Sequence, residues 1–267
     1  MGGLRAFCVL ACCALSVLPT AVHRPRADGG PSIVARERAG GLELSLSAPR
    51  GPFFLSELLP VTVALHNQSG AAVGYFGAFT PTLCGSAVDV LVAGSPPLYT
   101  PPRAILPSCP APRPIPGGLA PGRAVSVRLL VPVTASGRVT VAVHMLFVTA
   151  THREGAGVWY SSGPGPFAAR WPTLAIDVAP RVPADRAIRL RPSGASLHIV
   201  APPPARSSLL YQEVSVCGNE GSGDADWQPL GAGTIAPPRC AGQGRWSVLV
   251  SAPGFAIASA TQQGEAP

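Results

Sequence analysis

The densest run of oxygen-bearing side chains in this chain is Asn219-Glu220-Gly221-Ser222-Gly223-Asp224-Ala225-Asp226. Glu220, Asp224 and Asp226 on a glycine-rich loop could wrap a hard cation such as Ca²⁺, which takes six to eight oxygen ligands. Their spacing departs from the EF-hand pattern, and Asp/Gly runs are the ordinary chemistry of solvated turns, which is the reading preferred here. Of the histidines, His23, His66, His144, His152 and His198, three (His66, His144, His198) fall in strand-like runs where nothing two residues on could share a metal. They read as cross-strand packing or surface residues. A G-x-S-x-G elbow and a glycine-rich phosphate loop leading into a helix are both missing from the sequence. The expectation is a protein that is not an enzyme and carries no cofactor and no metal; a deep pocket joining His144 or His152 to a carboxylate would reopen the question.

Cysteine is the other reactive type. Of seven, Cys8, Cys12 and Cys13 lie in an N-terminal apolar segment, which leaves Cys84, Cys109, Cys217 and Cys240. With no C-x-x-C or H-x-x-x-H pair to suggest metal, these four are expected to form disulfides. Three pairings are open, and the neighbours in sequence, Cys84 with Cys109 and Cys217 with Cys240, are preferred. Each loop would contribute roughly 3 to 4 kcal/mol by chain entropy.

That chemistry needs an oxidising compartment, and the N-terminus supplies the route. One arginine precedes the apolar run Ala6 to Leu18, 13 residues long and followed by Pro19-Thr20-Ala21. As a helix it spans about 20 Å, short of the roughly 30 Å hydrocarbon core, so residues 1–21 read as a secretory signal cleaved after Ala21. An uncleaved anchor reaching Val22 is the alternative, and Val9-Leu10-Ala11-Cys12 looks like a degenerate lipobox. The protein is expected outside the cytoplasm, in the cell envelope or beyond it, touching membrane only if that segment is kept.

All 20 basic residues are arginine, giving a net charge of +7. They are scattered singly and in pairs rather than gathered on one element with aromatics between, so no nucleic-acid partner is expected. Thirty Gly and 32 Pro suit a chain of short strands and many turns, and helical periodicity is weak throughout.

The elements follow from a period of two. In Arg123 to Ala150, Val125, Val127, Leu129 and Val131 alternate with smaller or polar residues, as do Val139, Val141, Val143, Met145 and Phe147. With Pro132 ending the first run and Ser136-Gly137 between them, the two are expected to form an antiparallel hairpin covered by a second sheet. Leu42, Leu44 and Leu46 begin the strand pattern, and Pro60 to Asn67 continues it into the turn Asn67-Gln68-Ser69-Gly70, also a glycosylation sequon. Ala71 to Phe79 is expected to return against that strand. Ser95 to Pro121 holds ten prolines, too many for a ladder, and reads as a long loop offering Tyr99, Arg103 and Arg113 to a partner.

The domain plan is a flexible leader (22–40), an immunoglobulin-like antiparallel β-sandwich (41–178), a linker (179–186) and a second, smaller β-sandwich (187–267), an all-β chain. Val61-Thr62-Val63-Ala64-Leu65-His66-Asn67-Gln68-Ser69-Gly70, followed by Leu119-Ala120-Pro121-Gly122-Arg123 ahead of a strand pair, resembles exported bacterial immunoglobulin-like modules, including the BsuPI-type proteinase-inhibitor fold. Gly244-Arg245-Trp246-Ser247-Val248-Leu249-Val250-Ser251-Ala252-Pro253-Gly254-Phe255 is similar to the closing strands of carboxypeptidase-regulatory or transthyretin-like modules. No Trp sits between two core cysteines, so the antibody-type inter-sheet disulfide does not carry over, and neither resemblance brings functional residues. The function expected is an exported, non-catalytic binding or structural protein with an unknown protein or surface partner. The alternative is an inhibitor presenting the proline-rich loop around Cys109 to a protease; a secreted hydrolase ranks below both.

Overall fold

Alternating burial sets the architecture. A computed structural model of the chain describes residues 32–81, 86–94, 116–154, 157–194, 196–217, 220–231, 233–235 and 244–263. The first strands are β1 (Ser32–Ala39), β2 (Leu42–Pro49), the two-residue β3 (Phe53–Phe54), β4 (Leu58–Asn67), β5 (Val73–Phe76) and β6 (Val88–Ala93). Then come β7 (Pro116–Leu119), β8 (Ala124–Pro132), β9 (Gly137–Met145), β10 (Phe147–Glu154), β11 (Gly157–Gly163) and β12 (Thr173–Ala179). The remainder holds β13 (Arg189–Ser193), β14 (Ser196–Val200), β15 (Leu210–Cys217), β16 (Glu220–Pro229), β17 (Thr234–Ile235), β18 (Gly244–Ser251) and β19 (Ala258–Gln263). The chain is almost all β, in several sheets that are antiparallel but for the short β3–β12 pairing.

Three sheets, β1-β2-β4-β8, β11-β10-β5-β7 and β3-β12-β9-β6, feed one core. Leu42, Leu44 and Leu46 of β2, Val61, Val63 and Leu65 of β4, and Val139, Val141, Val143 and Met145 of β9 are all buried, as alternation predicts. Two further sheets, β13-β14-β17 and β16-β15-β18-β19, enclose a second core in which Leu197 and Ile199 pack with Val248 and Val250. Residues 31–267 nevertheless gather into one compact unit, because a third cluster of Leu58, Leu249 and Ile257 joins the halves.

Four expectations are corrected. The central pair is not a hairpin: β8 pairs with β4, whereas β9 pairs with β12 and β6 in another sheet. The connection between them is a corner, with Val133 and Ala135 buried to 0% and 1% exposure. An exposed two-residue turn would have left those side chains in water; burying them directs the chain across the core. Likewise β5 returns against β7 and β10, not against β4. From Ser32 the expected flexible leader is an edge strand paired along its whole length with β2. Ile33, Ala35 and Ala39 lean on the core, while Glu43 takes Arg36 and Arg38, and Glu37 meets Arg170 at 2.8 Å. Finally, the end of the proline-rich stretch does join a ladder, as β7, with Pro116 at the first position of an edge strand, where its missing N–H costs no bond.

The corner generates a test. Val133→Asp would be harmless in a solvent-facing turn, but here it places an uncompensated charge in the core and should destabilise the protein by about 3 kcal/mol or more in chemical denaturation. A change within a few tenths of a kcal/mol would restore the hairpin.

Candidate functional site

Few of the residues singled out from sequence fall among the described ones. Cys84, Cys109, Cys240, Tyr99, Arg103, Arg113 and His23 lie outside the described residues, as does the side chain of Cys217 at the end of β15. The acidic run is not a loop: Glu220 to Asp226 belong to β16, with Glu220 opposite Cys217 and Asp224 opposite Glu213. That corrects the turn. Pairing with β15 has overridden the local preference of Gly and Asp. Among the described residues no three His, Cys, Asp or Glu side chains gather at metal-binding range.

The histidines have separate local partners. His144 stacks on Trp171 with ring centroids 5.1 Å apart and planes 15° apart, and Trp171 in turn stacks on Phe167. His152 Nε2 lies 3.2 Å from Ser161 Oγ, and His66 Nδ1 lies 3.2 Å from Gln68 Nε2. His198 is exposed on β14.

Asn67 does what its turn chemistry requires. It is fully buried at the end of β4, and its Nδ2 donates to Ala71 O and to Leu119 O, both at 2.8 Å. Its Oδ1 accepts from Ser69 N at 3.0 Å and from Ser69 Oγ at 2.6 Å. The nitrogen that a glycan would need is spent on two carbonyls, so the folded sequon serves as a turn brace.

The residue that sequence reasoning passed over is Glu57. It sits in Phe53-Phe54-Leu55-Ser56-Glu57-Leu58-Leu59, and a lone carboxylate inside an apolar run was the signal available. The turn before β4 places it between the two cores. Leu55 N donates to Ala179 O, Ser56 N to Val133 O, and Val133 N to Glu57 O. From the second half, Gly254 N donates to Leu58 O and Ile257 N to Ser56 O, while Leu58 N donates to Phe255 O. Ser56 holds φ +66°, alone among the described non-glycine residues in that region, a conformation that persists only where the surroundings over-determine it.

Glu57 is 6% exposed, and its carboxylate accepts the Phe54 N–H at 3.3 Å. Burial pushes its pKa from 4.5 up to about 7, against the opposing pull of that N–H and of the Arg186 guanidinium. Arg186 lies over the Phe255 ring, 5.1 Å from its centroid, and its backbone oxygen accepts Ala256 N–H. Gly254 is required by its backbone, at φ +78°, rather than by space, since a Cβ there would stand 4.0 Å from both Arg186 Nη1 and Glu57 Oε1. The arrangement can store a proton near neutrality, but its burial keeps it from meeting a substrate in solution.

A different face is open. On the outer side of β10 and β11, Leu146, Val158 and Tyr160 are 52%, 46% and 40% exposed. Phe76 packs edge-on against Tyr160 at 6.5 Å. No protein-family model and no curated protein sequence matches the chain.

Glu57 gives a pH prediction. The folded chain holds its proton to higher pH than the unfolded chain, so stability is fully present below pH 4.5 and is lost as pH rises to about 7. The loss amounts to about 3 kcal/mol at about 1.4 kcal/mol per pH unit. Glu57→Gln preserves the neutral form and should flatten this part of the stability profile, leaving the variant the more stable protein above neutrality. Parallel profiles for the two proteins would contradict the assignment.

Proposed function

We propose that this is an exported, non-catalytic protein of the cell envelope or extracellular space, whose β-modules bind a protein or surface partner or hold other parts apart. What supports this reading most is the use made of the reactive side chains. Among the described residues, three polar groups are committed to packing and to turns. Asn67 braces a corner, His144 stacks on Trp171, and Glu57 is enclosed between two cores. The first half is read as an immunoglobulin-like sandwich, since sheets β1-β2-β4-β8 and β3-β12-β9-β6 contribute to one core, and the second half as a smaller sandwich. Export rests on the apolar segment at 6–18, and disulfides among Cys84, Cys109, Cys217 and Cys240 go with that compartment.

The test is expression of the full chain in an exporting bacterium. The protein should leave the cytosol with Val22 as its first residue, and thiol titration after denaturation should find the four distal cysteines oxidised. Retention in the cytosol with Met1 in place and free thiols would remove the proposal. Pull-down from envelope extract with the oxidised protein then identifies the class of partner.

A further inference from the structure

Two turns close on each other around one ionisable side chain. Glu57 is bridged antiparallel to Ala256, and three backbone bonds flank that bridge: Gly254 N to Leu58 O and Leu58 N to Phe255 O, both at 2.9 Å, and Ile257 N to Ser56 O at 2.8 Å. The bonded neighbours Phe54, Val133, Phe255 and Ala256 are all buried. Arg186 and Gly254, the groups placed beside the carboxylate, are instead partly exposed. The shortest approach for water to Glu57 therefore runs past residue 254.

We propose that the turn at 254–257 is a proton-operated latch: when the Glu57 carboxyl ionises, this turn lifts from the turn at 56–58 and admits water to the carboxylate, while the strands of both cores stay paired. Topology selects the side that gives way. The corner at 133–135 runs straight from β8 into β9, and the end of β12 is paired with β3 and β9, so opening there would break strand pairs. The turn at 254–257 only connects β18 to β19, whose pairing ends at Val250 and Ala258, and it can move with both strands in place. The corner and both turns bring no other ionisable residue. Asp177, near the end of β12, is exposed and bonded to Arg138 at 2.9 Å. From the segment at 184–186 comes Arg186, which opposes the effect of burial on Glu57, with the exposed Asp185 3.7 Å from it. A closed latch holds the Glu57 proton to about pH 7, and an open one releases it near 4.5. Opening therefore becomes tenfold more favourable with each pH unit between those values and levels off above them. Such local opening does not require either core to unfold.

Hydrogen exchange of the full chain, followed amide by amide, tests this. Between pH 4.5 and 7.5 the protection of the Gly254 and Ile257 amides, corrected for the intrinsic exchange rate, should fall about 300-fold. At each pH they should also exchange faster than the amides of Val63 and Val248, buried in the two cores. In Glu57→Gln the fall should disappear; if that variant fails to fold, the unaltered chain decides. Latch amides that exchange no faster than those of the cores would tie Glu57 to global unfolding alone. That result, protection that does not change with pH, or a fall that persists in a folded Glu57→Gln protein would each overturn the proposal.

Discussion

The turn from Phe53 to Leu58 is the constraint on which the rest of the fold depends. Its backbone bonds reach three separated segments: the end of β12, the β8–β9 corner and the Gly254–Ile257 turn. Each bond contributes about 0.5 to 1.5 kcal/mol, and those at Glu57 and Leu58 satisfy buried backbone groups. β3 leads into the turn and β4 leaves it, so the same six residues place strands in two sheets and hold the second half against the first. The left-handed Ser56 is stable here because the partners on all sides leave it no alternative.

Polar side chains mark the two ends of β4, and they act differently. Asn67 is neutral and every donor and acceptor it offers is matched, so its burial adds order at little cost. Glu57 has the Phe54 N–H and the Arg186 guanidinium to favour its charge, but burial outweighs both, so it holds its proton up to about pH 7. Arg186 is the charged group that acts on it, and Arg186 Nε also lies 3.7 Å from Asp185 Oδ2.

Much of the strand content was legible, because burial on one face writes a period of two into the sequence. β2, β4 and β9 bury the residues that alternation selects, and in β8 Val127 is buried with Val125, Leu129 and Val131 partly so. Alternation identifies a face but not a partner. For that reason β8 and β9 read as a hairpin, when the buried Val133 and Ala135 carry the chain from one sheet to another. β1 was hidden by Arg36, Glu37 and Arg38, whose charges are met by Glu43 and Arg170 rather than by solvent alone. β16 was hidden by Gly and Asp, residues whose local preference for turns yields to a long antiparallel partner. Glu57 could be seen only as an oddity of composition, since its role comes from segments about 80, 130 and 200 residues away.

The central claim is that this one turn couples both cores into a single cooperative structure. Scanning calorimetry of the full chain measures it most directly. The account predicts one unfolding transition, with the calorimetric enthalpy equal to the van't Hoff enthalpy. Two resolved transitions, one for the residues up to β12 and one for those from β13 onward, would mean that the contacts at Leu58, Leu249 and Ile257 join two independent domains and that the turn governs only the first.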